Sequence, residues 1–88
     1  MTDFKTELKS IFDKNIVEYS KSFDNSGGLS AMANNLKQFS VVIQTLLDEL
    51  TNKSNLILSE NDNVSKDELI EYSQELILKF RDKMLNPF

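Results

Sequence analysis

The chain has 88 residues, fourteen acidic and ten basic, and it contains no Cys, His or Trp. That set excludes a disulfide framework and thiol chemistry, leaves structural zinc without its favoured soft ligands, and leaves neutral-pH acid–base catalysis without its usual group. A net charge of −4 with a single arginine, Arg81, argues against nucleic-acid binding, which needs clustered Lys and Arg to neutralise phosphates.

Chain order begins with MTDFKTELKSIF, which has no long apolar run of the secretory type. No stretch approaches the roughly 20 apolar residues of a membrane span, so a cytoplasmic protein with no membrane partner is expected. Abundant Asn, Lys, Ser and Ile fit a bacterial or phage source.

Phe4, Leu8, Ile11, Phe12, Ile16, Tyr19 and Phe23 recur at steps of three and four. They fall within an arc of about 140° on a helical wheel, which predicts an amphipathic helix over 3–22. Thr2 or Asp3 is its expected cap, and Val17 falls off the stripe. DNSGG follows, with both glycines of the chain, Gly27 and Gly28. Asp, Asn and Ser bond to nearby backbone in turns, and glycine tolerates positive φ. The expectation is that the glycines end the first helix and reverse the chain. A phosphate-binding loop is excluded, since neither its Lys nor a preceding strand is present.

Leu29, Met32, Ala33, Leu36, Phe39, Ile43, Leu46, Leu47 and Leu50 form the stripe of a second and longest helix, expected over 30–58. TNKSN at 51–55 is a poor helical stretch, so a bend or a break near Asn52 is an alternative. Val42 widens the stripe, and Val41 falls among polar neighbours. The third helix, expected over 66–85, has the clearest start signal. Ser65 and Glu68 form a capping box, and Val64 and Leu69 a hydrophobic staple. Leu69, Tyr72, Ser73, Leu76, Ile77, Phe80 and Met84 form its buried face. Pro87 stops it near Leu85, because proline disfavours helical geometry at Asn86.

The reading is one all-α domain: a three-helix antiparallel bundle, or a long helical hairpin plus a third helix, with the central helix longest and oligomerisation expected. A long middle helix overhangs its neighbours, and the overhang is expected around Leu56, Ile57 and Leu58. Asp67, Glu71 and Glu75 share a helix face and read as a solvated acidic surface. Ser40 and Ser73 read as back-bonding to their own helix or as allowing close helix approach. No nucleophile has a base beside it in the sequence pattern, and no enzyme activity, metal or cofactor is expected.

Function therefore reads as a small non-enzymatic protein–protein interaction module: an adaptor, inhibitor or assembly factor. The partner is another protein or the chain's own copies. Surplus apolar positions nominate Val41, Val42, Leu56, Leu85 and Phe88 as partner-binding residues; a C-terminal Leu85–Phe88 hook is one route to docking. Two alternatives are a structural homo-oligomer, such as a virion or scaffold component, and a small-ligand binder using Tyr19, Tyr72, Asn34 and Asn35.

Overall fold

The computed structural model describes the chain from Phe4 to Leu85, with side chains to Lys83. Three helices occupy these residues, α1 (Phe4–Ser22), α2 (Gly28–Glu60) and α3 (Lys66–Leu85), with no strand among them. Each helix contacts both others, and α1 packs most heavily on α2. The molecule is 50 Å long and 17 by 15 Å across. A helix of 33 residues at about 1.5 Å each is itself about 50 Å long, so α2 alone sets the length.

The periodic stripes become the core. Leu8 and Tyr19 of α1, Phe39, Leu46, Leu50 and Ile57 of α2, and Leu69, Leu76 and Phe80 of α3 are buried together. Phe4, Ile11, Phe12, Ile16, Phe23, Val42, Ile43, Leu58, Val64, Tyr72 and Ile77 pack around them. Val17 is exposed, as its place off the stripe predicts. An aromatic layer closes one end of this core. Tyr19 meets Phe39, Phe23 and Phe80 at centroid separations of 5.6, 5.9 and 5.7 Å, and Phe39 lies 5.1 Å from Phe80. Edge-on and tilted aromatic contacts of this kind add to simple area burial.

The glycines do not end α1. That helix stops at Ser22, five residues before Gly27, because serine side chains satisfy its last carbonyls. Ser20 Oγ donates to Val17 O, and Ser22 Oγ donates to Tyr19 O at 3.0 Å. The glycines instead begin α2. Gly27 and Gly28 have φ of 78° and 86°, and Gly27 is the N-cap. Positive φ is the conformation that glycine adopts without a steric cost. α2 thereby starts two residues earlier than the expected 30 and runs to Glu60, without a break at Asn52. Tertiary contacts override the weak propensity of 51–55: Lys53 reaches Glu7 of α1 at 3.4 Å, and Ile57 beyond it is buried. Asn61 ends α2 by donating both its N–H and its Nδ2 to Ile57 O, each at 3.0 Å.

α3 begins on its N-cap. The Glu68 N–H donates to Ser65 Oγ at 3.3 Å, and the Leu69 N–H donates to Ser65 O. Val64 packs against the core beside buried Leu69. The caps nominated at Thr2 and Asp3 lie outside the described residues.

The overhang is at the opposite end of α2 from the one expected. Ile57 is buried, whereas the start of α2 is covered unevenly: Ala31 is buried, but Leu29 is 81%, Met32 51% and Leu36 48% exposed. α1 ends beside Asn35, and Phe80, near the end of α3, is level with Phe39. Among the described residues it is the turn that lies on α2 before Asn35; it covers Ala31 and leaves Leu29, Met32 and Leu36 in water.

Candidate functional site

The bare turns of α2 form one wall of a cleft of about 380 Å³. Phe23, Asp24, Asn25 and Gly27 form the other wall, and Tyr19 contributes from the aromatic layer. Met32 and Leu36 line the α2 wall. The cleft therefore continues the hydrophobic core past the point where a third helix would close it.

The wall opposite α2 is held by polar bonds. Asn35 grips the backbone of Asp24 from α2: its Oδ1 accepts the Asp24 N–H at 2.8 Å, and its Nδ2 donates to Asp24 O at 3.0 Å. One amide side chain thus stands in for a neighbouring strand and keeps the turn against α2. Asp24 then orders the next residues, because its Oδ1 accepts the Ser26 N–H at 2.9 Å and the Ser26 hydroxyl at 2.6 Å. These bonds hold the Asp24 carboxyl below the ordinary carboxylate range. Burial pushes the Tyr19 phenol upward. Its ring, part of the aromatic layer, lines the floor of the cleft.

The electrostatics here are unusual for a chain of which 27% of residues are charged. From Asn25 to Leu47 the only charged residue is Lys37. Asp24 is the charged residue among the described lining of the cleft, and its carboxylate is already bonded to Ser26, so apolar contact dominates what the cleft can do.

A second groove, of about 280 Å³, lies between α2 and α3. Leu47, Leu50, Leu58, Leu69, Ile70 and Ile77 line it, and among the described residues Lys66 is the one charged group in its lining. Ser73 also lines it, and its Oγ is buried without a hydrogen-bond partner. Of the two expected roles Ser73 does not take back-bonding, whereas Ser40 Oγ does donate to Leu36 O at 3.0 Å. The acidic positions of α3 are dispersed on the surface. Glu68, Glu71 and Glu75 border a shallow cleft with Tyr72 and with Lys5, whose Nζ lies 5.7 Å from the Tyr72 ring centre.

The nominated partner-binding residues separate. Val41 and Leu56 are exposed, while Val42 is half-buried and packs on the core. The side chains of Leu85 and Phe88 lie outside the described residues. The sequence reading placed Leu29, Met32 and Leu36 inside. Asn15 was missed as a core residue. It is 2% exposed, and its Nδ2 donates to Ile11 O at 2.9 Å and to Glu49 Oε1 at 3.2 Å. Lys14 Nζ pairs with Oε2 of the same Glu49. A signal existed, since Asn15 lies seven residues after Leu8 and four before Tyr19, on the centre of the α1 stripe.

No known protein family, no characterised protein and no solved structure matches the chain. Among the described residues, no helix is long and apolar enough to cross a membrane.

Proposed function

We propose that the protein is a non-enzymatic interaction module, an adaptor, inhibitor or assembly factor, that docks an uncharged apolar segment of another protein in the cleft beneath its aromatic layer. The observation that carries this reading is the exposure of Met32 and Leu36 along one wall of a cleft continuous with the core, with exposed Leu29 beside it on α2. Apolar side chains aligned on one helix face and left in water mark interaction surfaces. The near absence of charge from Asn25 to Leu47 supports a partner segment that is itself apolar. The cleft offers two walls, so a helix or an extended strand from the partner would supply the third.

The test places a photo-crosslinking residue at Met32 in cells of the source organism. The captured protein is then purified and its affinity measured against the wild-type chain and Leu36→Lys. The expected result is direct binding that the lysine weakens at least about tenfold, as when a charge enters an apolar contact without a partner. Equal affinity of the two chains removes the cleft from the interface.

A second reading has its own observation. The α2–α3 groove is also apolar, with Ile70 exposed on its rim, and a second copy laid along it would make a homo-oligomer. Light scattering over roughly a hundredfold concentration range tests this, because self-association follows mass action. A larger species that Ile70→Lys abolishes supports it, and a monomer throughout rejects it.

A further inference from the structure

We propose that a second copy of this chain pairs antiparallel along α2, so that the exposed start of each α2 enters the α2–α3 groove of the other copy. The proposal rests on the homo-oligomer reading above and adds the occupant: Leu29, Met32 and Leu36 of the copy are what the groove receives.

The first argument is an open face that runs the length of α2. Leu29, Met32, Leu36, Ile43, Leu47 and Leu58 are all exposed or half-buried. At about 100° per residue they share one side of the helix. Ala33, Ser40, Thr51 and Ser54 fall on the same side, and side chains this small let a second helix approach closely. None of these residues is charged. Glu49 and Lys53 stand on the other side, where they pair with α1.

The second argument is charge. Two charged residues border the open face, Lys37 and Asp48, about three turns apart on the same edge of the helix. Among the described residues neither has an ion pair; Gln44 donates to Asp48 Oδ1. An antiparallel twofold pair sets a given edge of one helix against the same edge of the other, so Lys37 of each copy meets Asp48 of the other. Charges at such flanking positions set the orientation of paired helices. A parallel pair sets that edge against the core-facing edge of the other helix and leaves both charges unpaired.

The third argument is register. Pairing Lys37 with Asp48 twice puts the twofold axis midway between them, beside Ile43. Leu36 then falls level with the copy's Glu49, Met32 with its Lys53 and Leu29 with its Leu56. The groove is lined on α2 from Leu47 to Leu58 and on α3 by residues that include Ile70 and Ile77. All three exposed residues therefore fall within its length, although the register was set by the charges alone. The pairing is isologous, so it fills both grooves and closes at two copies. An outside segment that takes Met32 and Leu36 competes with the copy, and its binding opens the dimer.

The experiment measures the dimer dissociation constant of the full chain by sedimentation equilibrium, with helical circular dichroism confirming that each variant is folded. The expected result is a dimer that Leu36→Lys and Ile70→Lys each weaken at least about tenfold, since each puts an unpaired charge into an apolar contact. Met32→Lys replaces Leu36→Lys if that chain is not folded. Lys37→Asp and Asp48→Lys each set two like-charge pairs in the dimer and weaken it about tenfold, and the chain carrying both substitutions recovers to within about threefold of wild type. A dimer that Ile70→Lys weakens and Leu36→Lys does not keeps the homo-oligomer reading and overturns the start of α2 as occupant. A dimer weakened by both lysines but indifferent to the single reversals, or not recovered by the swap, overturns the antiparallel register and with it the proposal. A monomer throughout removes the proposal and the reading it rests on together.

Discussion

Glu49 is the residue on which α1 and α2 are keyed together. It receives Lys14 on one oxygen and Asn15 on the other, and it is the buried end of Asn15 that makes the arrangement specific. The Lys14 ammonium, with Asn15 adding a second bond, holds the Glu49 carboxyl below its ordinary value although partial burial opposes this. A lowered folded-state pKa contributes stability that is fully present above the unfolded value and is lost as pH falls through the folded one. Urea unfolding is therefore expected to show a loss of stability below about pH 4.3, the ordinary glutamate value. Glu49→Gln should be less stable at pH 7 and show a shallower decline, and an equal decline in both chains would place the acid sensitivity elsewhere. Ser73 makes the opposite case. Its buried hydroxyl has no partner, so Ser73→Ala removes a desolvation penalty of about 1 kcal/mol or more. The expected midpoint shift exceeds the gain of about 0.5 kcal/mol that helix propensity alone supplies. The stripe of α1 marks Asn15 as inward-facing, but its pairing with Glu49 and the unpaired state of Ser73 were not legible in the sequence. A buried Asn and an unpaired Ser look like any polar residue on a stripe until the neighbouring helices are placed, because satisfaction depends on groups more than 30 residues away.

Helices were the legible scale. The 3.6-residue period of apolar residues marks all three, and Ser65 with Leu69 marks the start of α3 because capping and stapling use side chains within five residues. What was misread depends on longer reach. Gly27 and Gly28 looked like the stop of α1, but Ser20 and Ser22 already satisfy its carbonyls, and the positive-φ pair sets the entry to α2. Gly28→Ala isolates that role. A Cβ at this position meets nothing within 4 Å, so the cost is conformational and amounts to roughly 1–2 kcal/mol. Denaturant midpoints should fall with no change in the slope, as for a change of stability alone. A neutral substitution would show that the turn relaxes to another geometry. Continuity of α2 through 51–55 was likewise hidden, because the Lys53–Glu7 pair and the burial of Ile57 are supplied by packing.

At the scale of the molecule, one helix runs the full 50 Å and two shorter ones cover it incompletely. The uneven cover was foreseeable from helix lengths, but the end at which it falls was not. Lengths fix the size of an overhang, whereas its position follows from how α1 and α3 slide along α2. That register is set by Asn15 with Glu49, by Glu7 with Lys53 and by the aromatic layer, and each of these is a contact between helices. The consequence is a gradient of local stability along a single continuous helix. Between Phe39 and Leu50, α2 carries three core residues, and helices pack on two of its sides. Among the described residues its start is covered by the turn, with Leu29, Met32 and Leu36 in water. Opening free energies follow buried apolar contact, so amide hydrogen exchange should be slowest from Ile43 to Leu50 and faster by orders of magnitude from Met32 to Leu36. The comparison is internal to one helix, which removes differences of solvent and global stability. Uniform protection from Met32 to Leu50 would show that something already covers the first turns.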